Sequence, residues 1–258
     1  MSRPKSSSPS LANGGVWWPQ RRDMVPPQDL KVDVVIPALN EEKSIGLVLD
    51  AIPKGWVRRV IVVDNGSTDE TAQKAKDAGA EVIFESRKGY GSACLAGLAF
   101  ARLNPPDIVV FLDADFSDNP AELPRLIEPI LVRDAEMVIG SRTIGPRQRG
   151  ALLPQAVMGN KLACTLVEFL FDYHFSDLGP FRAITWEALE RMSMRDPDFG
   201  WTVEMQVKAA RLKIPSVEVP VSYKKRVGTS KITGTVKGTV LAGYKILYTI
   251  FAHAVDDE

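Results

Sequence analysis

Apolar positions along the chain recur in two rhythms. Short apolar runs at Val32 to Pro37, Val60 to Asp64, Glu81 to Phe84, Ile108 to Asp113 and Met137 to Gly140 read as strands buried on both faces of a parallel sheet. Helical spacing fills the intervals. Glu41 to Ile52 follows Asn40 as a cap, and Thr68 to Ala78 opens with the capping-box spacing of Ser67 to Glu70 and stops at Gly79. Gly91 to Leu103 follows a glycine-containing loop, and Pro120 to Leu131 has Asn119 as cap and proline at the first helical position. Strands alternating with helices predict an α/β fold with a mainly parallel sheet joined by right-handed crossovers.

After Gly140 the rhythm changes. A loop at Arg147 to Gly150 precedes a long helix from Gln155 to about Asp172. A short strand at Phe181 to Ile184, helices at Trp186 to Met192 and Trp201 to Leu212, and a strand at Val217 to Tyr223 follow. Pro220 favours the edge of the sheet for that last strand. Thr233 to His253 is helical and apolar apart from Lys237 and Lys245, which fits a helix packed on the body or lying at a membrane interface. Residues 1–30, rich in Ser, Pro and Arg, read as a disordered leader in which Trp17 and Trp18 stand out. No signal peptide and no uncharged stretch of about 20 apolar residues occurs, so a cytoplasmic location is expected.

Composition changes this picture in one respect. The chain of 258 residues is 45% hydrophobic and 25% charged, with a formal net charge of zero, ordinary for a globular protein and unlike a nucleic-acid binder. The charges are unevenly placed, however. No acid occurs from Met137 to Val167, or from Val219 to Val255, where Lys224, Lys225, Arg226, Lys231, Lys237 and Lys245 sit. Such regions suit phosphate groups or an anionic membrane surface, although each lysine alone reads equally as a solvated face. Cys94 and Cys164 read as small buried hydrophobes in a reducing compartment.

Candidate chemistry gathers at the C-terminal ends of the predicted strands, where open α/β sheets bind ligands. The run Val109 to Leu112 ends in Asp113-Ala114-Asp115, whose two carboxylates share one side of an extended chain. Their repulsion calls for a divalent cation with a phosphate ligand, the alternative being a solvated acidic turn. Pro37 to Glu41 ends the first strand, and Asp64 to Asp69 ends the second. The cationic Arg87-Lys88-Gly89-Tyr90-Gly91 loop precedes a helix N-terminus suited to anions. Gly89-x-Gly91 is not a dinucleotide fingerprint, because Cys94 holds the third glycine position and the motif follows the third strand.

In this order the motifs resemble glycosyltransferase family 2, an inverting family with the GT-A fold. They are Pro37-x-x-Asn40-Glu41, Val63-Asp64-Asn65-Gly66-Ser67-Thr68-Asp69 and Asp113-Ala114-Asp115, within a likeness spanning roughly residues 32–250. Gly140-Ser141-Arg142, Phe181-Arg182 and Arg226-x-Gly228-x-Ser230-Lys231 are most similar to the polyprenyl-phosphate (dolichol-phosphate) sugar transferases within it. The resemblance implies a catalytic domain at residues 31–232, with a nucleotide-binding half (31–140), an acceptor half (141–232) and a C-terminal amphipathic helix (233–258). Pro37, Ala38, Asn40, Glu41, Asp64 and Asn65 would line the nucleoside pocket, Asp64 accepting from the base. Lys88 and Gly89 would flank the sugar nucleotide, and Asp113, Ala114 and Asp115 the diphosphate. Asp113 and Asp115 would hold Mg²⁺ or Mn²⁺, with Ser117 where relatives often place a glutamine ligand. Arg142, Arg149, Arg226, Ser230 and Lys231 would contact phosphate.

These roles imply a UDP- or GDP-sugar donor, a polyprenyl phosphate acceptor, contact with the cytoplasmic membrane face and an open possibility of a homo-oligomer. A lipid phosphate is anionic at pH 7 and needs no general base, whereas a sugar hydroxyl does. Glu204 stands where relatives carry an acid near the acceptor; it reads either as that base or as a group orienting Arg142 or another cation. A transferase for soluble acceptors and a non-catalytic nucleotide-sugar-binding subunit are the rival readings.

Overall fold

Runs of β-branched residues form the strands, and their positions set everything else. The computed structural model describes residues 15–17, 25–228 and 236–255. Its strands are β1 (Gly15–Val16), β2 (Val32–Ala38), β3 (Arg59–Asp64), β4 (Glu81–Phe84), β5 (Ile108–Phe111), β6 (Met137–Ser141), β7 (Arg182–Thr185) and β8 (Ser216–Pro220). Its helices are α1 (Ile45–Ala51), α2 (Thr71–Asp77), α3 (Tyr90–Ala101), α4 (Leu123–Leu131), α5 (Pro154–Phe171), α6 (Trp186–Met192), α7 (Trp201–Arg211) and α8 (Val236–Val255).

All eight strands join one sheet in the order β1-β8-β6-β7-β5-β2-β3-β4. Every pairing is parallel except those of β7, which runs antiparallel to β5 and β6. The mainly parallel α/β expectation therefore holds. Because β7 lies between β5 and β6, the two halves of the chain share one sheet. One face packs against α3, α5, α6 and α7, with Ile250 of α8; the other packs against α1, α2 and α4. Burial on both faces is what makes the central strands read as continuous apolar runs.

Four details differ from the expected elements. The ladder of β5 ends at Phe111, so Asp113 and Asp115 lie in the loop beyond it. Helix α1 begins at Ile45 because Asn40 has a left-handed φ of 52° and residues 41–44 form a turn, with Ser44 N–H donating to the Glu41 carbonyl. The capping box at Ser67 to Glu70 does not form; Asp69 Oδ1 accepts the Thr71 N–H at 3.0 Å instead, and Ser67 Oγ accepts from Asn40 N–H. The leader is not wholly disordered. Gly15–Val16 pairs with β8, and Trp17, only 4% exposed, donates its N–H to the Glu218 carbonyl and its indole N–H to Asp134. The cause is an open strand edge beside an apolar recess, which a short strand and one indole ring fill. Pro220 is tolerated because β1 covers only Val217 and Glu218, leaving no second neighbour that needs its missing N–H. Trp18 lies outside the described residues.

Candidate active site

The C-terminal ends of β2, β3 and β5 open on a cleft of about 420 Å³. Pro37, Ala38, Leu39 and Glu41 form one wall, Asn65, Lys88, Gly89 and Tyr90 another, and Asp113, Ala114, Asp115 and Arg226 the floor and far side. The Arg87–Gly91 loop is held from beneath. Asn65 donates to the carbonyls of Glu85 and Arg87 and accepts from Gly89 N–H at 2.9 Å, while Lys88 Nζ bonds the carbonyls of Asn65 and Gly66. Gly89 has φ 140°, and a Cβ there would lie 2.2 Å from the Pro197 carbonyl oxygen, so the position excludes every other residue. Ser92 N–H and Oγ both donate to that same carbonyl. The loop after Pro197 thereby brings Asp198 and Phe199 to the cleft.

The two carboxylates at the floor have different partners. Asp113 accepts from Tyr90 Oη at 2.9 Å, and desolvation, then the charge of Asp115, push its carboxyl up from the ordinary range. Asp115 accepts Ser117 N–H at 2.8 Å through Oδ1, and its Oδ2 lies 3.4 Å from Arg226 Nη1. Arg226 Nη2 is 2.6 Å from Glu41 Oε1, so one guanidinium joins opposite walls of the cleft. Beside Asp115, Ser117 Oγ and both oxygens of the buried Asp118 have no hydrogen-bond partner. Burial, then the charge of Asp113, raise the Asp118 carboxyl well above its ordinary range.

Crowded carboxylates next to unsatisfied oxygens fit a bound divalent cation. Among the described residues no three His, Cys, Asp or Glu side chains converge on one point. An ion at Asp113 and Asp115 would therefore complete its shell with ligand phosphate and water, the usual mode for Mg²⁺.

A second cavity of about 190 Å³ shares Asp115 and Arg226 with the first. Arg142, Thr143, Asn160 and Tyr223 give it a polar wall; Leu152, Leu153, Ala156 and Val157 give it an apolar one. Arg142 is fixed by Asp177, which accepts from its backbone N–H, Nε and Nη2 at 2.7 to 2.9 Å, and by the Tyr223 ring 5.2 Å from its guanidinium carbon. Asp177 is itself held by Glu218, which accepts its N–H at 3.1 Å.

The structure thus brings together Pro37, Ala38, Glu41, Asn65, Lys88, Gly89, Asp113, Ala114, Asp115, Arg142 and Arg226. Asp64 instead stands behind the wall, its Oδ1 accepting Ser67 N–H in the turn. Asn40 ties two loops by accepting Thr68 N–H at 2.7 Å. Arg149 is exposed and lines neither cavity. Glu204 is turned away from both: its oxygens accept the N–H groups of Arg195 and Asp196, and Lys208 Nζ lies 2.7 Å from it. The reading of Glu204 as a base does not fit; the other reading, a group orienting Arg142 or another cation, does, and the cation is Lys208. Ser230 and Lys231 lie outside the described residues. Sequence reasoning missed Tyr90, Asp118 and Tyr223. The one available signal was a third acid, Asp118, three residues after Asp115.

Comparison with known proteins bears on family and fold. Residues 33–177 match the model of the family described as "Glycosyl transferase family 2". An uncharacterized glycosyltransferase of Mycobacterium tuberculosis is 38% identical over 213 residues, covering 82% of this chain and 94% of its own. The undecaprenyl-phosphate mannosyltransferase of Micrococcus luteus is 32% identical over 233 residues, covering 81% of this chain and 90% of its own. Among solved structures, glucosyl-3-phosphoglycerate synthase of M. tuberculosis, in complex with Mn²⁺, UDP and glucosyl-3-phosphoglycerate, superposes with a TM-score of 0.74 at 22% identity over 95% of this chain and 88% of that one. That last likeness bears on the fold, which is GT-A.

Proposed function

The chain belongs to glycosyl transferase family 2, and from that premise we propose that it moves a hexose from a UDP- or GDP-sugar to a polyprenyl phosphate at the cytoplasmic face of a membrane. The observation that carries this reading is the second cavity. It meets the first at Asp115 and Arg226, and it combines two arginines with an apolar wall of Leu152, Leu153 and Val157. Guanidinium groups suit a phosphate, and the apolar wall suits the first carbons of a lipid chain.

The chemistry of the acceptor agrees. A phosphate monoester has a second pKa of about 6 and is already a nucleophile at neutral pH. Asp115 is the only carboxylate among the residues lining that cavity, and no histidine lines it. A hydroxyl acceptor would lack a base there; a phosphate requires none. The mannosyltransferase of M. luteus, whose name gives undecaprenyl phosphate, supports the same acceptor class.

Transfer requires the bond between sugar and diphosphate to break as the acceptor oxygen attacks from the other side. Pro37, Ala38 and Glu41 would seat the nucleoside, and the Lys88–Gly89 loop would flank the diphosphate. Asp113 and Asp115 would hold Mg²⁺ or Mn²⁺, which when bound neutralises charge on the leaving diphosphate. Arg226 sits where it can face both phosphates, and Arg142 is held rigid by Asp177 for the acceptor. Preorganised cations of this kind act on charge that develops during the reaction.

The test is transfer from a panel of UDP- and GDP-sugars to undecaprenyl phosphate in detergent, with Mn²⁺, Mg²⁺ or chelator. A lipid-linked sugar formed only with metal is the expected result. Transfer confined to water-soluble phosphorylated acceptors would replace the lipid reading, and donor binding without any transfer would favour a non-catalytic subunit.

A further inference from the structure

Helices α5 and α8 pack against each other and against α7. Each also turns an apolar stripe to solvent. On α5, Met158, Leu162 and Phe169 recur on one helical face, with Met158 74% and Phe169 83% exposed. On α8, the exposed residues Leu241, Tyr244, Tyr248, Phe251 and Val255 recur at alternating three- and four-residue steps. The opposite faces already supply the core, through Ala163, Cys164 and Val167 of α5 and Ile250 of α8. Single exposed apolar side chains are ordinary; two regular stripes on neighbouring helices mark an interaction surface.

Charge identifies the partner. Residues 137–167 and 219–255 contain no acid; the exposed Arg147 and Arg149 precede α5 and Lys161 lies on it, with Glu168 at its C-terminal end the one acid of that helix. A second copy of the chain would bring these like charges together, whereas anionic lipid headgroups would pair with them. Tyr244 and Tyr248, whose rings stack at 6.2 Å, carry the amphipathic rings favoured at a membrane–water boundary. No helix among the described residues is long and apolar enough to cross a membrane, so the contact would lie in the surface plane. The stripe on α5 also adjoins the second cavity, because Ala156 and Val157, next to Met158, line that cavity.

We propose that the paired faces of α5 and α8 form a docking surface for an anionic bilayer, and that this surface delivers the mouth of the Arg142–Arg226 cavity to the lipid headgroups. The inference rests on the lipid-phosphate reading of that cavity. Sequence alone pointed to the C-terminal helix; α5 is the added half, and it is the half that touches the acceptor site.

Vesicle flotation of the full chain tests it, using phosphatidylcholine vesicles with and without phosphatidylglycerol. Binding to the anionic vesicles alone, weakened by salt, is expected. Met158→Ser with Phe169→Ser, and separately Tyr248→Ser with Phe251→Ser, should each lower partition by about tenfold or more. An unchanged nucleotide-induced thermal shift shows that these variants fold. Equal binding to neutral vesicles, no binding to either, or loss confined to the α8 pair would overturn the proposal. So would light scattering that shows a dimer dissociated by these substitutions, since a second copy would then be the occupant. Vesicle binding without sugar transfer to the lipid phosphate removes only the acceptor reading. Transfer to detergent-dispersed lipid phosphate by a protein that ignores vesicles removes only the docking surface.

Discussion

Arg226 and Glu41, 185 positions apart in the chain, meet at 2.6 Å between Nη2 and Oε1. The same guanidinium reaches Asp115 with Nη1 at 3.4 Å. A cation from the loop after β8 therefore spans two carboxylates carried by the loops after β2 and β5. The first cleft is closed on that side by charge pairing rather than by apolar packing.

Arg226→Ala should lower kcat/KM by about 10²–10³, the scale observed when one preorganised electrostatic donor is removed. Arg226→Lys should recover only part of this, because a point charge cannot reach Glu41 and Asp115 together as the planar fork does. Steady-state transfer rates for the three proteins check it; full activity of the lysine variant would show that the fork is dispensable.

Asp177→Ala should destabilise the protein by about 3–5 kcal/mol, since it leaves the nearly buried Arg142 guanidinium without its counter-charge. In the folded fraction the acceptor KM should rise more than the donor KM, because Arg142 lines only the second cavity. Urea unfolding and two-substrate kinetics separate these effects.

Much of this was legible in the chain. The strand runs and the Asp-Ala-Asp motif carry strong local signals, since burial on two faces enforces apolar residues and two acids one residue apart stand in the loop just beyond β5. The antiparallel insertion of β7 was not legible, because Arg182-Ala183-Ile184-Thr185 looks the same in either direction. Nor was the pairing of Gly15–Val16 with β8, two residues in a polar leader. Long-range hydrogen bonds explain the misread side chains: Glu204 resembles a site acid by position, yet its partners are N–H groups eight and nine residues earlier.

Glu204→Gln should therefore act on stability and not on chemistry. An amide has one acceptor oxygen where the carboxylate serves two N–H groups, so a loss of about 1–3 kcal/mol is expected with kcat nearly unchanged. A general base would give the opposite pattern, an intact melting temperature with a rate loss of about 10²–10⁴.

Glu218 links acidity to the second cavity, through Asp177 and Arg142. Burial raises its carboxyl to about 7 from an ordinary 4.5, against the hydrogen bonds donated by Ser176 and Asp177. The folded state thus holds this proton more tightly than the unfolded chain. Its stabilising contribution is complete below 4.5 and is lost as pH rises through about 7. Glu218→Gln, permanently neutral, should lack this decline. Calorimetry across that window should show the variant gaining on the wild type as pH rises, and a pH-independent gap would contradict the assignment.

The strap formed by Gly15, Val16 and Trp17 has a practical side. Composition invites trimming the chain to begin near Lys31. That cut would remove a buried indole, a change that costs about 3–5 kcal/mol when a core Phe or Trp becomes Ala. It would also bare the β8 edge, an open template for strand addition between molecules. A shortened protein is expected to melt earlier and to self-associate through β8. Gly15, Val16 and Trp17 are a seal on the sheet, and a soluble, monodisperse sample is expected to depend on keeping them.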